Sequence, residues 1–290
     1  MVLSSSSKVN KSGTFINFNG KVLPSETAIL TADNRGFRYG DGLFETIKVV
    51  AGRLLLEQYH FDRLLAGVQL LQFELSPFFT AEKLAAEVLA LCKKNGHQAL
   101  ARVRLVVFRG DGGLYDPVNH FPHYIIQTWP LPPRSSELNE NGLVIDVFPD
   151  GRKSCDSFAN LKSNNYLLYV LAAIYARKHQ LNDCLVLNNY GRIADSTIAN
   201  LFYCKEGKIY TPPLREGGVA GVMRRYLLEF LPGAGFPVLE KEISREDLED
   251  AEEVFLTNAL KGIKWVRSFG AATYGCHLIT SISQKLSSNI

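Results

Sequence analysis

The chain has 290 residues, 46% hydrophobic and 21% charged, values typical of a globular protein with a substantial core. Its formal net charge is only +3 and its basic and acidic residues are interleaved, which gives no support to nucleic-acid binding. No apolar run approaches membrane-spanning length, so no membrane association is expected. The five cysteines lack CxxC spacing, which argues against a metal site or a disulfide framework and favours a reducing cytoplasm.

The first 13 residues are polar and serine-rich and are predicted to form a flexible N-terminus. The Asn19-Gly20 pair predicts a β-hairpin over residues 15–23. The stretch 33–50 is glycine-rich at first and then alternates like a strand. Two helices and two strands complete this half: a helix from Glu57, a helix over Thr80 to Asn95, and strands at 101–109 and 124–129.

A proline-rich segment at 130–133, followed by polar residues to Gly142, is the clearest break in composition and predicts an interdomain linker. The predicted organisation is a flexible N-terminus at 1–13, a small α/β domain at 14–130, a linker at 131–142 and a C-terminal domain at 143–290. The elements predicted beyond the linker are strands at 143–148, 184–187, 193–203, 254–256 and 263–266, a helix ending near Lys178, a helix through Phe230, and a short helix capped by Ser244 and Asp247.

Lys162 lies in an uncharged run, 157–166, that leads into an apolar helical pattern. A lysine amine is a good nucleophile only when it loses its proton easily, and partial burial at the positive end of a helix dipole would favour that. An amine of this kind is suited to reactions with carbonyl groups. The alternative from this residue alone is a surface lysine on a loop, because most lysines are exposed.

Three further features could hold an anionic or aromatic ligand. The glycines of 217–221 precede a helix, an arrangement suited to phosphate because backbone amides and the helix dipole face the anion. Arg63 could add a bidentate contact to the same phosphate. Asp195 lies in a polar cluster between two apolar segments and could pair with a ring nitrogen, although an aspartate that bonds its own turn is an equally good interpretation.

Several motifs, taken in order, resemble class IV aminotransferases, the fold-type IV family of pyridoxal-phosphate enzymes that includes branched-chain aminotransferases and 4-amino-4-deoxychorismate lyases. The similarity extends from about Phe15 to about Val266. The matching segments are Asp33 to Thr46, His60 to Leu64, Lys162, Asp195 to Phe202, Gly221 to Arg224 and Phe255 to Asn258. The resemblance implies two α/β-type domains, small at the N-terminus and a larger pseudo-barrel at the C-terminus, with the cofactor between them.

The resemblance also assigns roles. Lys162 would be the catalytic residue, bound to pyridoxal 5'-phosphate as an aldimine and moving the substrate proton. Arg63, Val222, Met223 and Asn258 would contribute to cofactor binding and Asp195 would face the pyridine nitrogen. The substrate pocket would include Tyr39, Phe44, Tyr115, Thr257 and Ala259. Family members are typically homodimers, so a homodimer is expected.

Two departures bear on the reaction. Family members usually carry glutamate at the position of Asp195. The aspartate side chain is one methylene shorter. The Asn258-Ala259-Leu260 turn and the spacing from Lys162 to Tyr166 resemble the lyase branch more than the branched-chain branch. The prediction is a branched-chain-like amino-acid transaminase that passes an amino group to a 2-oxo acid through a Lys162 aldimine. The alternatives are aminodeoxychorismate lyase, which releases pyruvate and 4-aminobenzoate, and a non-catalytic relative.

Overall fold

A computed structural model describes residues 13–289, which fold into helices and strands of a mixed α/β protein, as predicted. The strands form two sheets, the first built before residue 131 and the second after residue 142. The segment predicted to be a flexible N-terminus, 1–13, lies outside the described residues except for Gly13. The domain boundaries themselves stay predictions.

The first sheet has the order β2-β1-β6-β5-β3-β4, and all its neighbouring strands are antiparallel. The predicted hairpin is confirmed: Asn19 and Gly20 both have positive φ angles, 51° and 84°, as a tight turn between twisted strands requires. The strands are β1 Phe15–Phe18, β2 Lys21–Pro24, β3 Gly42–Val50, β4 Arg53–Leu54, β5 Leu100–Arg109 and β6 Pro122–Pro130.

Helices α1 Arg35–Tyr39, α2 Glu57–Leu70 and α3 Ala81–Lys94 accompany this sheet. Phe61, Leu64 and Val68 of α2 share one buried core with β3 and β5, which explains the predicted apolar face of that helix. The core residues of α3 are Leu84, Val88 and Leu91. The Thr80 side chain accepts a hydrogen bond from the Lys83 amide and so caps α3 at its predicted start.

The second sheet has nine strands and mixes parallel with antiparallel pairs. Its main order is β12-β11-β10-β13-β14-β7-β8-β9, with β15 paired to β14. The strands are β7 Leu143–Lys153, β8 Asp183–Asn188, β9 Ile193–Ser196, β10 Asn200–Lys205, β11 Lys208–Thr211, β12 Val238–Glu240, β13 Glu253–Asn258, β14 Gly262–Phe269 and β15 Ala272–Thr273.

Four helices pack around this sheet: α4 Leu167–Lys178, α5 Val222–Gly233, α6 Arg245–Glu249 and α7 His277–Ser287. Tyr169 and Ala172 of α4 are buried with residues of β8. The capping box predicted at Ser244 and Asp247 is present at the start of α6. In the part of the chain that the structure describes, no helix combines the length and apolar character needed to cross a membrane.

Several elements differ from the predictions. The glycine-rich start of 33–50 contains the short helix α1. The Asn34 side chain caps this helix by accepting a hydrogen bond from the Phe37 amide. The single strand predicted over 193–203 is two strands, since a turn closed by Ser196 and Ala199 separates β9 from β10. Strand β7 continues to Lys153 through an irregularity between Val147 and Arg152.

Candidate active site

A cleft of about 390 Å³ is lined by residues of both sheets. The first sheet contributes side chains from β3 and β5, and the second contributes β9, β13 and the start of α5. The lining includes Phe44, Thr46, Arg63, Arg102, Arg104, Lys162, Tyr166, Tyr169, Asp195, Val222, Met223, Thr257, Asn258 and Ala259. Nine of the eleven residues predicted for the site therefore lie around one cavity.

Backbone hydrogen bonds to the start of β3, and not a helix, hold Lys162 in place. The Phe44 amide donates to the Lys162 carbonyl at 2.9 Å, and the Asn164 amide donates to the Gly42 carbonyl at 2.9 Å. Leu43 and Ser163 thereby form an antiparallel bridge, so this segment is attached to the start of β3. We call this contact the 42–164 clamp; it ties the segment that carries the lysine to the first sheet.

The amine of Lys162 lies over the Phe44 ring, with Nζ 4.5 Å from the ring centroid. Burial, together with the nearby charge of Arg63, lowers its pKa to about 8. Helix α4 begins at Leu167, five residues after Lys162, and the contribution of its dipole stays a prediction. Desolvation and a neighbouring guanidinium have the same effect and leave the amine partly neutral near physiological pH.

This shift predicts a pH dependence that can be measured without cofactor. Because the amine is reactive only when neutral, acylation of Lys162 in the cofactor-free protein should rise as the pH increases through about 8 and level off about one unit above that. Competitive labelling with acetic anhydride, read by mass spectrometry, measures it. The exposed Lys178 is the internal reference for labelling yield. Labelling of Lys162 that still rises steeply at pH 10 would contradict the prediction.

Arg63 is held by a buried carboxylate. Its Nε donates to Glu45 Oε1 at 2.8 Å and its Nη2 to Oε2 at 2.6 Å, while His60 Nδ1 lies 2.6 Å from the same Oε2. Burial alone would raise the pKa of Glu45, but Arg63 and His60 outweigh it and hold the pKa at about 2. Burial also lowers the pKa of His60. Glu45 therefore stays ionised and fixes the guanidinium of Arg63 at the cleft wall.

The start of α5 is suited to an anion. Arg63 Nη1 donates to the Ala220 carbonyl at 2.9 Å, which brings a positive charge to the N-terminus of this helix. No side chain within residues 13–289 caps α5, so its first amides are available to an anion, and Val222 and Met223 line the cleft. A Cβ atom at Gly221 would lie 1.8 Å from Asn200 Oδ1, so a larger residue here would require the Asn200 side chain to move.

Asp195 is buried at 2% exposure on β9. Its Oδ2 accepts from the Tyr169 hydroxyl at 2.7 Å and from the Val219 amide at 2.8 Å. Its Oδ1 has no hydrogen-bond partner among residues 13–289. A buried acceptor without a partner is costly, so this oxygen fits the N–H of a ligand in the cleft. The protonated pyridine nitrogen of a cofactor supplies such a donor.

Two arginines project from the first sheet into the cleft. Arg102 and Arg104 are two residues apart on β5 and so lie on the same sheet face. Arg104 stacks on the Phe44 ring, with 3.8 Å from Cζ to the centroid, and Arg102 stacks on Trp129 at 4.9 Å. The described residues include no carboxylate paired with either guanidinium, and Arg102 Nε is buried without an acceptor. Anions can therefore bind here.

The turn after β13 borders the cleft at its other side. Asn258 Oδ1 accepts from the amides of Leu260 and Lys261 and so bends the turn. The Thr257 hydroxyl donates to the Gly262 carbonyl at 2.9 Å. Both side chains shape the wall by hydrogen bonds within the hairpin.

Tyr39 and Tyr115 are the two predicted site residues that lie outside this cleft. Their rings pack together, with centroids 5.7 Å apart, and Tyr115 is 80% exposed. The buried Arg35 donates to the carbonyls of Gly112, Leu114 and Tyr115 and holds the loop there. Their part in a substrate pocket stays a prediction.

Sequence reasoning gave no chemical role to several residues that the structure brings to the site. Lys153, Tyr166 and Tyr169 surround Asp195 and Lys162, and Arg102 and Arg104 line the opposite wall. The i, i+2 spacing of the two arginines was the one available signal, because it puts both on one face of a strand. Within residues 13–289 no three His, Cys, Asp or Glu side chains cluster in a way that could hold a metal ion.

A family model described as amino-transferase class IV matches residues 42–269. The chain is 32% identical over 240 residues to an aminodeoxychorismate lyase of Vibrio harveyi, covering 82% of this chain and 86% of that protein. It is 29% identical to a putative branched-chain-amino-acid aminotransferase of Methanocaldococcus jannaschii, covering 93% of each. The crystal structure of the Escherichia coli branched-chain aminotransferase matches with a TM-score of 0.86 and 25% identity, covering 96% of this chain and 94% of that one.

Proposed function

Because the chain belongs to the class IV aminotransferase family of pyridoxal-phosphate enzymes, we propose that it cleaves an amine-bearing dicarboxylate, as an aminodeoxychorismate lyase does. The family makes it an enzyme and makes pyridoxal phosphate its cofactor. The proposal therefore concerns only the reaction that follows. Relatives of both reaction types have similar identities to this chain, so identity does not separate the two.

The observation that carries the proposal is the pair Arg102 and Arg104 in the cleft wall, neither of which has a carboxylate partner among residues 13–289. A substrate with a branched aliphatic side chain has no acceptor there for the hydrogen bonds of these guanidiniums. Burying the two guanidiniums against such a side chain would therefore be costly. 4-Amino-4-deoxychorismate carries two carboxylates and one amine. It can meet both arginines while its amine points towards Lys162.

The residues of the site suit this cofactor. The amides at the start of α5 and the guanidinium of Arg63 are proposed to hold the phosphate, and Asp195 Oδ1 to accept the pyridine N–H. Asn258 is proposed to support the cofactor through the turn that its side chain bends. Pyridoxal phosphate, when bound, supplies an electron-withdrawing ring that eases loss of a proton from the carbon bearing the substrate amine.

Lys162 is proposed to be the acid–base group. Its lowered pKa lets it take the proton from the amine-bearing carbon, and as an ammonium it can return a proton to the departing enolpyruvyl group, which leaves as pyruvate. The proton lost and the proton gained balance, and 4-aminobenzoate remains without any oxidant or water. Phe44, Thr257 and Ala259 are proposed to form the apolar part of the substrate pocket.

Amino-acid transamination, the reaction that the sequence favours, is the second candidate. Glutamate also has two carboxylates, so the same two arginines support it as the amino donor, with a 2-oxo acid as acceptor. Lys162 would then move a proton at the substrate carbon in both half-reactions.

A paired assay tests the choice. Purified protein with cofactor and aminodeoxychorismate should release equal amounts of pyruvate and 4-aminobenzoate in the absence of any 2-oxo acid. Protein given glutamate or leucine with a 2-oxo acid is the parallel reaction. Turnover in the second mixture alone would replace the lyase with the transaminase, and turnover in neither would contradict both.

Arg104→Met should lower kcat/KM for aminodeoxychorismate about 10- to 100-fold, mainly through KM, because a charged hydrogen bond to substrate is lost. Steady-state kinetics measure it. Arg104→Lys should recover part of the loss, and Arg134→Met, at a residue that is 76% exposed, is the matched control with wild-type kinetics. An unchanged KM in Arg104→Met would remove the arginine pair as support for the lyase.

We also propose that two copies of the chain associate. Leu167, Val170, Leu171 and Ile174 are exposed on α4 at i, i+3, i+4, i+7 spacing, an apolar face that suits a protein contact. Light scattering should give twice the 32.3 kDa chain mass, and Leu171→Asp should shift the protein towards the monomer. A wild-type mass of one chain would contradict this. The cytoplasm is the proposed compartment, supported by five cysteines that are all free.

A further inference from the structure

Asp195 is linked to a buried lysine that lies outside the groups discussed so far for catalysis. Lys153 Nζ donates to the Tyr169 hydroxyl at 2.7 Å, and that hydroxyl donates to Asp195 Oδ2 at 2.7 Å. The ammonium is also only 3.7 Å from the same Oδ2. All three residues are buried, with exposures of 8%, 7% and 2% for Lys153, Tyr169 and Asp195. We call them the Lys153 relay.

The relay joins three separate elements. Lys153 is the last residue of β7, Tyr169 lies in the first turn of α4, and Asp195 is on β9. The hydrogen bonds run in one direction, from the ammonium through the hydroxyl to the carboxylate. Tyr169 and the Val219 amide occupy Oδ2, which leaves Oδ1 as the oxygen available to the cleft.

The charges explain why a lysine is needed. Burial raises the pKa of Asp195, and Lys153 opposes this by its positive charge. Burial also lowers the pKa of Lys153, while Asp195 raises it. The second carboxylate nearby, Asp183 on β8, acts against ionisation of Asp195. A carboxylate in this position is ionised only with a compensating cation, because an uncompensated buried charge costs several kcal/mol, of the order of a broken buried ion pair.

We propose that Lys153 is a positioning residue: through Tyr169 and by its own charge it keeps Asp195 ionised and aims Oδ1 at the N–H of the cofactor's pyridine ring. The strength of the cofactor as an electron acceptor then depends on a residue that does not touch it. The inference rests on pyridoxal phosphate as the cofactor and not on the lyase reaction, so a failed lyase assay leaves it standing.

The test reads the ring nitrogen directly. Protein reconstituted with ¹⁵N-labelled pyridoxal phosphate should show a protonated ring nitrogen by NMR in the wild type and in Lys153→Arg. In Lys153→Met, which keeps an unbranched side chain one atom shorter but loses its charge, the signal should move to that of neutral pyridine. The dissociation constant of the cofactor should rise about tenfold or more in the same variant. Lys178→Met, an exposed lysine at the end of α4, should match the wild type in both measurements.

Lys153 also donates to the Ala159 carbonyl at 3.1 Å and so supports the segment before Lys162. The same variants distinguish this purely structural role from the proposed positioning role. If Lys153→Met lowers only the melting temperature and keeps the wild-type ring-nitrogen signal, the proposal is wrong. Tyr169→Phe covers the case in which Lys153→Met does not fold, since it retains the bond to Ala159 and the direct Lys153–Asp195 contact and removes only the link through the Tyr169 hydroxyl. It should move the nitrogen signal in the same direction by a smaller amount; a wild-type signal in this variant would also overturn the proposal.

Discussion

Replacing Lys162 with alanine is expected to lower turnover by about 10⁴-fold while the protein stays folded. The amine lies beside Phe44 in the cleft that Asp195 also lines, and its pKa of about 8 suits proton transfer near neutral pH. In the proposed mechanism, its loss removes both the acceptor of the substrate proton and the amine that bonds the cofactor. Steady-state turnover and the melting temperature, measured together, separate lost chemistry from lost folding.

Borohydride reduction adds a second measurement for this prediction. In the wild type, reduction should attach the cofactor to the peptide that contains Lys162, and mass spectrometry should find no label on Lys153, a buried lysine that contacts Asp195. Lys162→Ala should give no labelled peptide, and Lys178→Ala should behave as the wild type. Label on Lys153, or turnover in Lys162→Ala within tenfold of the wild type, would remove Lys162 from its assigned role.

The second large effect is expected at Glu45, where alanine should destabilise the fold by about 3–5 kcal/mol. Arg63 would lose a bidentate partner and His60 Nδ1 its acceptor, and both side chains would remain largely buried without compensation. Cofactor affinity should fall as well, because Glu45 orients Arg63 towards the start of α5. Urea unfolding gives the stability, and titration of the cofactor-free protein gives the affinity.

Two variants serve as controls for this prediction. Glu45→Gln keeps the size and some of the hydrogen bonds and should lose less stability than alanine. Glu57→Ala, at an exposed position in the first turn of α2, should change stability by no more than about 0.5 kcal/mol. A loss of under about 1 kcal/mol in Glu45→Ala would show that the buried ion pair does not stabilise the fold as argued.

Acid should have the same effect as the substitution. The pKa of Glu45 is lowered from 4.5 to about 2 on folding, so its contribution to stability is complete above about pH 4.5 and is lost as the pH falls towards 2. The Glu45→Ala variant lacks this group. Its free energy of unfolding should therefore depend less on pH in that interval than that of the wild type.

Local patterns predicted much of the fold because the responsible interactions are close in sequence. The hairpin at Asn19-Gly20, the cap at Thr80 and the capping box at Ser244 each depend on residues within a few positions of one another. The split of 193–203 into β9 and β10 was missed because the hydroxyl of Ser196 turns the chain inside an otherwise strand-like pattern. The helix α1 was missed because glycines hid the capping role of Asn34.

The candidate site shows the same difference between features that a sequence motif predicts and features that depend on the folded structure. Lys162, Arg63 and Asp195 could be named because they match family motifs in a known order. Partial burial of Lys162 was predicted as well, but the contribution of Arg63 to its lowered pKa was not, because Arg63 is about a hundred positions away in the chain. The Lys153 relay was beyond reach for the same reason, since Tyr169 and Asp195 meet Lys153 only after β7, α4 and β9 have assembled.

The 42–164 clamp has a consequence for how the molecule opens. The lysine belongs by chain order to the half that carries the second sheet, yet its backbone is hydrogen-bonded to a strand of the first. Separating the halves must therefore break the bonds made by the amides of Phe44 and Asn164 and withdraw the lysine from Phe44 in the same event. The hydrogen-exchange rates of these two amides would therefore report how often the two halves separate. In a separated molecule, Lys162 would lack the backbone hydrogen bonds that hold it beside Phe44.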